Sequence, residues 1–238
     1  MQQDKRFSGS IGHDYNMFKL AAPYYDAFEQ EAGNLLAKYI KSRYPSDYLG
    51  PINVYEGGCG TGLTTKVLLD IDPRVRVFAI DNEPVLLDQA RESFKEYGER
   101  VNFIESDLLE AIENLNELDI FVSVFTIHNM LPEYRENLFG KIGEKMKSGG
   151  LLINGDKIAQ NDLEAHKKDL DAQLEALKIF TQKGQPELAE QWTKHYLEDD
   201  KIKMTESDQI NLLEKSGFIN ISLSFRHLTD AIVIAEKR

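Results

Sequence analysis

Glu56-Gly57-Gly58-Cys59-Gly60-Thr61-Gly62 is the stretch that decides the fold. A short strand, Ile52–Gly57, runs into it, and a helical pattern, Leu63–Ile71, runs out of it. Glycines at such a strand-to-helix turn permit a tight bend and let the backbone touch a ligand closely. Spacing excludes two common ligands. A dinucleotide fingerprint, G-x-G-x-x-G, would start at Gly58 and Gly60 and place its third glycine at position 63, which is Leu63. A phosphate-binding P-loop ends in Gly-Lys-Ser/Thr, and the chain has no such triplet. What fits is acidic-x-G-x-G-x-G, on Glu56, Gly58, Gly60 and Gly62.

Strands and helices alternate outward from this turn. Val75–Asp81 reads as a strand, and Pro84–Tyr97 as a helix opened by proline in its first turn. Val101–Asp107 is a strand. Asp119–Phe125 is a continuously apolar strand of the kind buried on both faces. Pro132–Lys147 is a helix closed by Gly149-Gly150, and Leu151–Asp156 is a fifth strand. This succession implies a parallel sheet with helices on both faces. The rhythm breaks after Asp156, where Asn161–Phe180 and Pro186–Glu198 read as two helices with no strand between them, an insertion. Glu206–Ser216 is a helix. Ile219–His227 and Ala231–Glu236 are strands joined by 228–230 alone, a link short enough to demand antiparallel neighbours. Upstream, Leu20, Tyr24, Phe28, Leu35, Leu36, Tyr39 and Ile40 give a helical period to 15–44, whereas 1–14 is polar and reads as mobile.

Composition bounds the function classes. The 238 residues are 42% hydrophobic and 29% charged, which suits one large domain with a cap. A net charge of −12 argues against strong non-specific binding to nucleic acid, which needs a basic footprint. It favours a small-molecule acceptor or a protein, although Lys167-Lys168, Lys201 and Lys203 offer a local basic patch. Cys59 is the single cysteine, so neither an intramolecular disulfide nor a thiolate zinc cluster can form, as fits a reducing cytoplasm. No apolar signal core and no apolar run of about 20 residues is present, so no membrane attachment is expected. The histidines, at 13, 128, 166, 195 and 227, lack the paired spacing of metal motifs, and no metal is expected.

The glycine turn and the strand ends together resemble the class I S-adenosylmethionine-dependent methyltransferases. The resemblance implies a Rossmann-like, seven-stranded, mostly parallel α/β sheet with a C-terminal antiparallel hairpin. Residues 1–50 would be a helical leader, and 51–238 the methyltransferase domain. The leader and the insertion at about 160–200 would cap the carboxyl edge of the sheet. It also implies S-adenosylmethionine as cofactor. The loop Gly57, Gly58, Cys59, Gly60 and Gly62 would pack against its amino-acid part, with Glu56 helping to hold the ammonium. Most members carry Asp where this chain has Glu56, and a bulky aliphatic where it has Gly57. Asp81, beside Asn82, would accept the ribose hydroxyls. Asp107, with Ser106 and Leu108, would meet the adenine. Phe125 would lie beside the transferable methyl, and His128 is the candidate base. Each polar residue has a plainer reading: Asp81 and Asp107 as helix N-caps, His128 as a structural histidine.

Within this family the layout is most similar to the carboxy-S-adenosylmethionine synthases of wobble-uridine modification and their methyltransferase relatives. The likeness rests on Ala79-Ile80-Asp81-Asn82, on Phe125-Thr126-Ile127 with Pro132 and Arg135 after it, on Asp156-Lys157, and on the insertion before Met204-Thr205. It extends to a leader tyrosine, Tyr24 or Tyr25, that would close over the cofactor. One departure matters. Those synthases hold the extra carboxylate with an arginine from the insertion, and this chain has no arginine between Arg135 and Arg226. Lys194 sits near the expected place but lacks the bidentate fork. Methyl transfer from ordinary S-adenosylmethionine is therefore expected. The alternatives are a carboxy-S-adenosylmethionine synthase-like enzyme and an inactive cofactor-binding partner protein. Phe180, Trp192 and Tyr196, with His195 among them, form an aromatic face on the insertion. That face reads either as a lid over the acceptor or as packing, against the domain or across a homodimer.

Overall fold

In the computed structural model, which describes residues 18–238, the apolar segments around the glycine turn assemble into a seven-stranded sheet of order β3-β2-β1-β4-β5-β7-β6. The expectations for residues 1–14, for a helix starting at Tyr15 and for His13 lie outside the described residues. The strands are β1 (Ile52–Gly57), β2 (Val75–Asp81), β3 (Val101–Glu105), β4 (Leu118–Val124), β5 (Met146–Lys157), β6 (Phe218–His227) and β7 (Asp230–Lys237). The first five run parallel, and β7 pairs antiparallel with both β5 and β6. This is the Rossmann-like sheet with a closing hairpin that the sequence implies. The order reverses between β1 and β4, and open α/β sheets bind ligands at the carboxyl ends of such a switch point.

Each face of the sheet has its own core. Phe28 and Leu36 of α1 (Tyr25–Arg43), Leu68 and Leu69 of α2 (Leu63–Ile71) and Leu87 of α3 (Pro84–Ser93) cover one face. Ile112 of α4 (Leu108–Glu113), Leu138 and Phe139 of α5 (Pro132–Lys145) and Leu213 of α9 (Glu206–Lys215) cover the other. The insertion supplies α6 (Leu163–Ala176), α7 (Lys178–Gln182) and α8 (Pro186–Lys201). Its aromatic face is buried within the chain: Trp192, Tyr196 and Phe180 cluster with Phe18 and Tyr25 of the leader. The Phe18 and Trp192 ring centroids are 4.6 Å apart.

β3 stops at Glu105, short of the expected Asp107, and the one helix expected over Asn161–Phe180 is two, α6 and α7; two further boundaries turn on glycines. The helix expected over Pro84–Tyr97 ends at Ser93, and a 3₁₀ turn, Lys95–Arg100, follows with Gly98 at φ 55°. Gly149-Gly150 does not close α5; β5 begins at Met146, and the glycines lie in a register shift against β4. A Cβ on Gly150 would crowd the Asp119 carbonyl of the neighbouring strand, so glycine here serves close strand approach.

Two glycines of α5 separate packing from helix propensity. Gly143 lies against α9, and a Cβ there would overlap the Ser216 carbonyl oxygen, whereas a Cβ on Gly140 meets nothing within 4 Å. Propensity alone favours alanine at both by about 1 kcal/mol. Urea denaturation is expected to show Gly140→Ala stabilised by up to about 1 kcal/mol. Gly143→Ala is expected to be destabilised by about 1–3 kcal/mol, because helix and loop backbone must move apart.

Candidate functional site

The ends of β1 and β4 meet at the switch point with almost no space between them. Gly58 adopts φ +73°, and a Cβ on it would overlap the Thr126 side chain. Thr126 Oγ1 donates to the Gly58 carbonyl at 3.1 Å. Gly60, at φ +52°, has open space where a Cβ would point. Its N–H donates to Asp81 Oδ2 at 2.8 Å, so the tip of β2 holds the glycine turn in place. Asp81 Oδ1 accepts from the Glu83 N–H at 2.9 Å. Each carboxylate oxygen has a further lone pair for a ligand hydroxyl.

A cavity of about 820 Å³ opens above this junction. Gly58, Cys59, Gly60, Asp81, Asn82, Ser106, Asp107, Leu108, Tyr25 and Phe125 all line it. Asp107 also caps α4, accepting from the Glu110 N–H at 3.2 Å and from the Tyr134 hydroxyl at 2.9 Å. Of the two leader tyrosines, Tyr25 is the one at the cavity, its ring stacked on Phe125 with centroids 5.2 Å apart and planes at 14°. Phe125 is held at φ 52°, uncommon for a bulky residue. Tyr24 instead donates to Asp230 at 2.7 Å and packs on His227.

The cavity is strongly acidic. Glu29, Asp81, Glu83, Asp107 and Glu133 line it, and none of the described lining residues is Lys, Arg or His. Glu29 is buried on α1 one turn beyond Tyr25 and accepts from the Thr64 hydroxyl at 2.6 Å. Burial pushes its carboxyl up to about 7. Glu56 lies beneath the turn, buried, with Oε2 accepting from Thr65 at 2.6 Å and Oε1 without a hydrogen-bond partner among the described residues. Burial, with the Glu29 and Asp81 carboxylates adding to it, pushes Glu56 up to about 8. Such a site fits a ligand that brings positive charge to these carboxylates.

Comparison with known proteins is consistent with this geometry. Residues 54–150 match the family described as "Methyltransferase domain". The chain is 26% identical over 222 residues to a carboxy-S-adenosyl-L-methionine synthase of Campylobacter jejuni, covering 93% of this chain and 89% of that one. It is 26% identical to the synthase of Helicobacter pylori, over 97% and 93% of the two chains. Among solved structures, the fold is similar to the pyocyanin biosynthetic protein PhzM, with a TM-score of 0.57 at 19% identity, over 86% of this chain and 55% of that one. It is also similar to the magnesium protoporphyrin IX methyltransferase of Synechocystis with bound SAM, with a TM-score of 0.55 at 13% identity, over 89% and 81%.

Residues 54–150 carry a methyltransferase domain, and the fold around it is that of the methyltransferase structures it is similar to. The chain is related over nearly its whole length to the carboxy-S-adenosylmethionine synthase group. Among its described residues no helix is long and apolar enough to cross a membrane.

Several expected site residues sit elsewhere than at the cavity wall. Glu56, Gly57 and Gly62 are not among its lining residues. Gly57 and Gly62 lack a Cβ because Leu108 with Phe121, and Phe94, fill the space each would need. All three support the turn from below. His128 also stands away from the cavity, in a 3₁₀ turn after β4 (Ile127–Asn129). It faces a second, small cavity with Lys157 and Asp199. Lys194 is exposed and lies 3.9 Å from Glu198, not at either cavity. Arg135 is buried and donates to the carbonyls of Met130, His128 and Ile202, pinning the turn to the end of the insertion. Sequence reasoning missed Glu29. Its signal was an acidic residue one turn from Tyr25, on the apolar side of the leader helix.

The two raised carboxyls set a pH dependence. Glu29 and Glu56 bind their protons more tightly folded than unfolded, so unfolding releases protons between about pH 4.5 and pH 8. Ligand-free stability is therefore expected to fall as pH rises from 5 to 8.5, by a few kcal/mol. Glu56→Gln is expected to flatten that slope in thermal unfolding series, and an unchanged slope would contradict the assignment.

Proposed function

We propose that this enzyme transfers the methyl group of ordinary S-adenosylmethionine to a small-molecule acceptor bound between the sheet and the helical cap. The observation that carries the reading is the charge of the cavity: carboxylates at Glu29, Asp81, Glu83, Asp107 and Glu133, and no Lys, Arg or His among its described lining residues. S-adenosylmethionine is cationic at its sulfonium and ammonium. A carboxylated analogue would bring an additional anion next to these acids with no guanidinium to receive it. The names of the synthase relatives favour the second reading, a carboxy-S-adenosylmethionine synthase-like enzyme, and the absence of a cationic lining residue weighs against it.

In this reading Gly58, Cys59 and Gly60 receive the amino-acid part of the cofactor, and Glu29 and Glu56 supply the negative charge for its ammonium. Asp81 and Asn82 take the ribose, and Ser106, Asp107 and Leu108 the adenine. When bound, the cofactor supplies a methyl group activated by the sulfonium. Alignment and exclusion of water then supply much of the acceleration. Tyr25 stacked on Phe125 is suited to excluding water, and its leader helix closes that side of the cavity. In this reading the described part of the leader, residues 18–50, and the insertion at about 160–200 form the cap of a catalytic domain of 51–238. The net charge of −12 supports a small acceptor over nucleic acid. A cytoplasmic setting fits the single buried thiol, Cys59.

Mass spectrometry of ligand released by denaturing the purified protein is expected to show S-adenosylmethionine or S-adenosylhomocysteine, and carboxy-S-adenosylmethionine would overturn the reading. In calorimetry with S-adenosylhomocysteine, Asp81→Asn is expected to weaken binding by about 1–3 kcal/mol, roughly 5- to 150-fold.

A further inference from the structure

Two histidines and a carboxylate from distant segments meet beside the small second cavity. His128 follows β4, while His195 and Asp199 lie one turn apart on α8. Asp199 Oδ2 is 3.6 Å from His128 Nε2 and 3.2 Å from His195 Nε2. One ligating atom from each of the three residues lies within 4.8 Å of the others. A transition ion with bonds of about 2.0–2.2 Å holds adjacent ligand atoms roughly 3–3.5 Å apart, so small side-chain shifts would close the set around one ion.

His128 is oriented for such a role. Its Nδ1 bonds Asp156 Oδ1, and its backbone N–H donates to Asp156 Oδ2 at 2.9 Å. The side chain is 7% exposed, and Nε2 has no hydrogen-bond partner among the described residues. A carboxylate behind an imidazole puts the proton on Nδ1, leaving the Nε2 lone pair facing outward. That lone pair then faces the Asp199 carboxylate at 3.6 Å, and an ion ligated by both would add to the positive charge that Lys157 already brings to Asp199. The adjoining cavity, about 30 Å³, is the size of one ion or water. Lys157 Nζ also reaches Asp199 Oδ2, at 3.0 Å, and lies 3.5 Å from the Tyr196 ring centroid. Lys157 and both histidines approach the same oxygen, Oδ2, so an ion would take the second carboxylate oxygen or displace the ammonium from Oδ2.

We propose that His128, His195 and Asp199 form a mononuclear site for a divalent first-row transition cation, with Asp156 as the positioning residue for His128. Two imidazoles and one carboxylate suit zinc, iron, manganese or cobalt better than magnesium or calcium. Three protein ligands leave coordination positions for an oxygen or nitrogen of a small molecule. The next residue, Asn129, lines the large cavity, so the ion would sit at the boundary between that cavity and the insertion.

Co²⁺ is the probe. Full-length protein without a histidine tag is stripped with chelator, dialysed against Co²⁺ and read by metal analysis and by visible ligand-field absorption. One Co²⁺ per chain is expected, with the bands of nitrogen and oxygen ligation. His195→Ala and the isosteric Asp199→Asn are each expected to weaken binding at least about 100-fold, and Asp156→Asn about 10- to 100-fold. His227→Gln, outside the cluster, binds as wild type. Thermal unfolding identifies any variant that fails to fold, and Asp199→Asn carries the comparison if His195→Ala does. Absence of bound Co²⁺ after dialysis, or binding unchanged in both folded ligand variants, overturns the site.

Discussion

The contact between the glycine turn and the end of β4 is the constraint on which the binding site depends. Gly58 has no room for a side chain against Thr126, and the Gly60 N–H is held by Asp81. Three strand ends, β1, β2 and β4, are thereby locked into one surface at the point where strand order reverses. The cavity is the space this lock leaves open. Its shape follows from backbone geometry that only glycine at positive φ can adopt without strain.

Electrostatics adds a second layer. Glu29 and Glu56 are buried with too little compensation, and their carboxyls rise to about 7 and 8. Buried like charges cost stability unless a cation arrives or a proton binds. The ligand-free site therefore spends stability that cofactor binding can restore, as at other functional sites with perturbed acids. Glu29 comes from the leader helix and Glu56 from β1, so that exchange couples the leader to the sheet.

The aromatic face of the insertion, which its sequence leaves open between a lid and packing, is packed within the chain. Trp192, Tyr196 and Phe180 bury themselves against Phe18 and Tyr25, fastening the insertion to the leader. On the same helix, α8, His195 and Asp199 turn toward His128. One helix thus anchors the cap through its aromatics and assembles a polar cluster through residues of the same turns, as a 3.6-residue period permits.

The sequence by itself determined the sheet and much of the cavity wall. Alternating apolar strands and helices, the short 228–230 link and the failed dinucleotide spacing are local patterns, and local geometry governs them. Asp81 and Asp107 were legible because strand-end positions in such a sheet share one edge. Tyr24 and Tyr25 were adjacent in sequence and equal in pattern, and only packing chose Tyr25. Glu29 was hidden because a carboxylate on a helix reads as solvated until a tertiary neighbour buries it. His195 and Asp199 stood at a visible four-residue spacing, yet the third member, His128, is 67 positions away from His195 in the numbering. No periodicity reaches across that distance. The tertiary structure alone decided that cluster, because burial and chain crossing, rather than local pattern, set which distant side chains share a site.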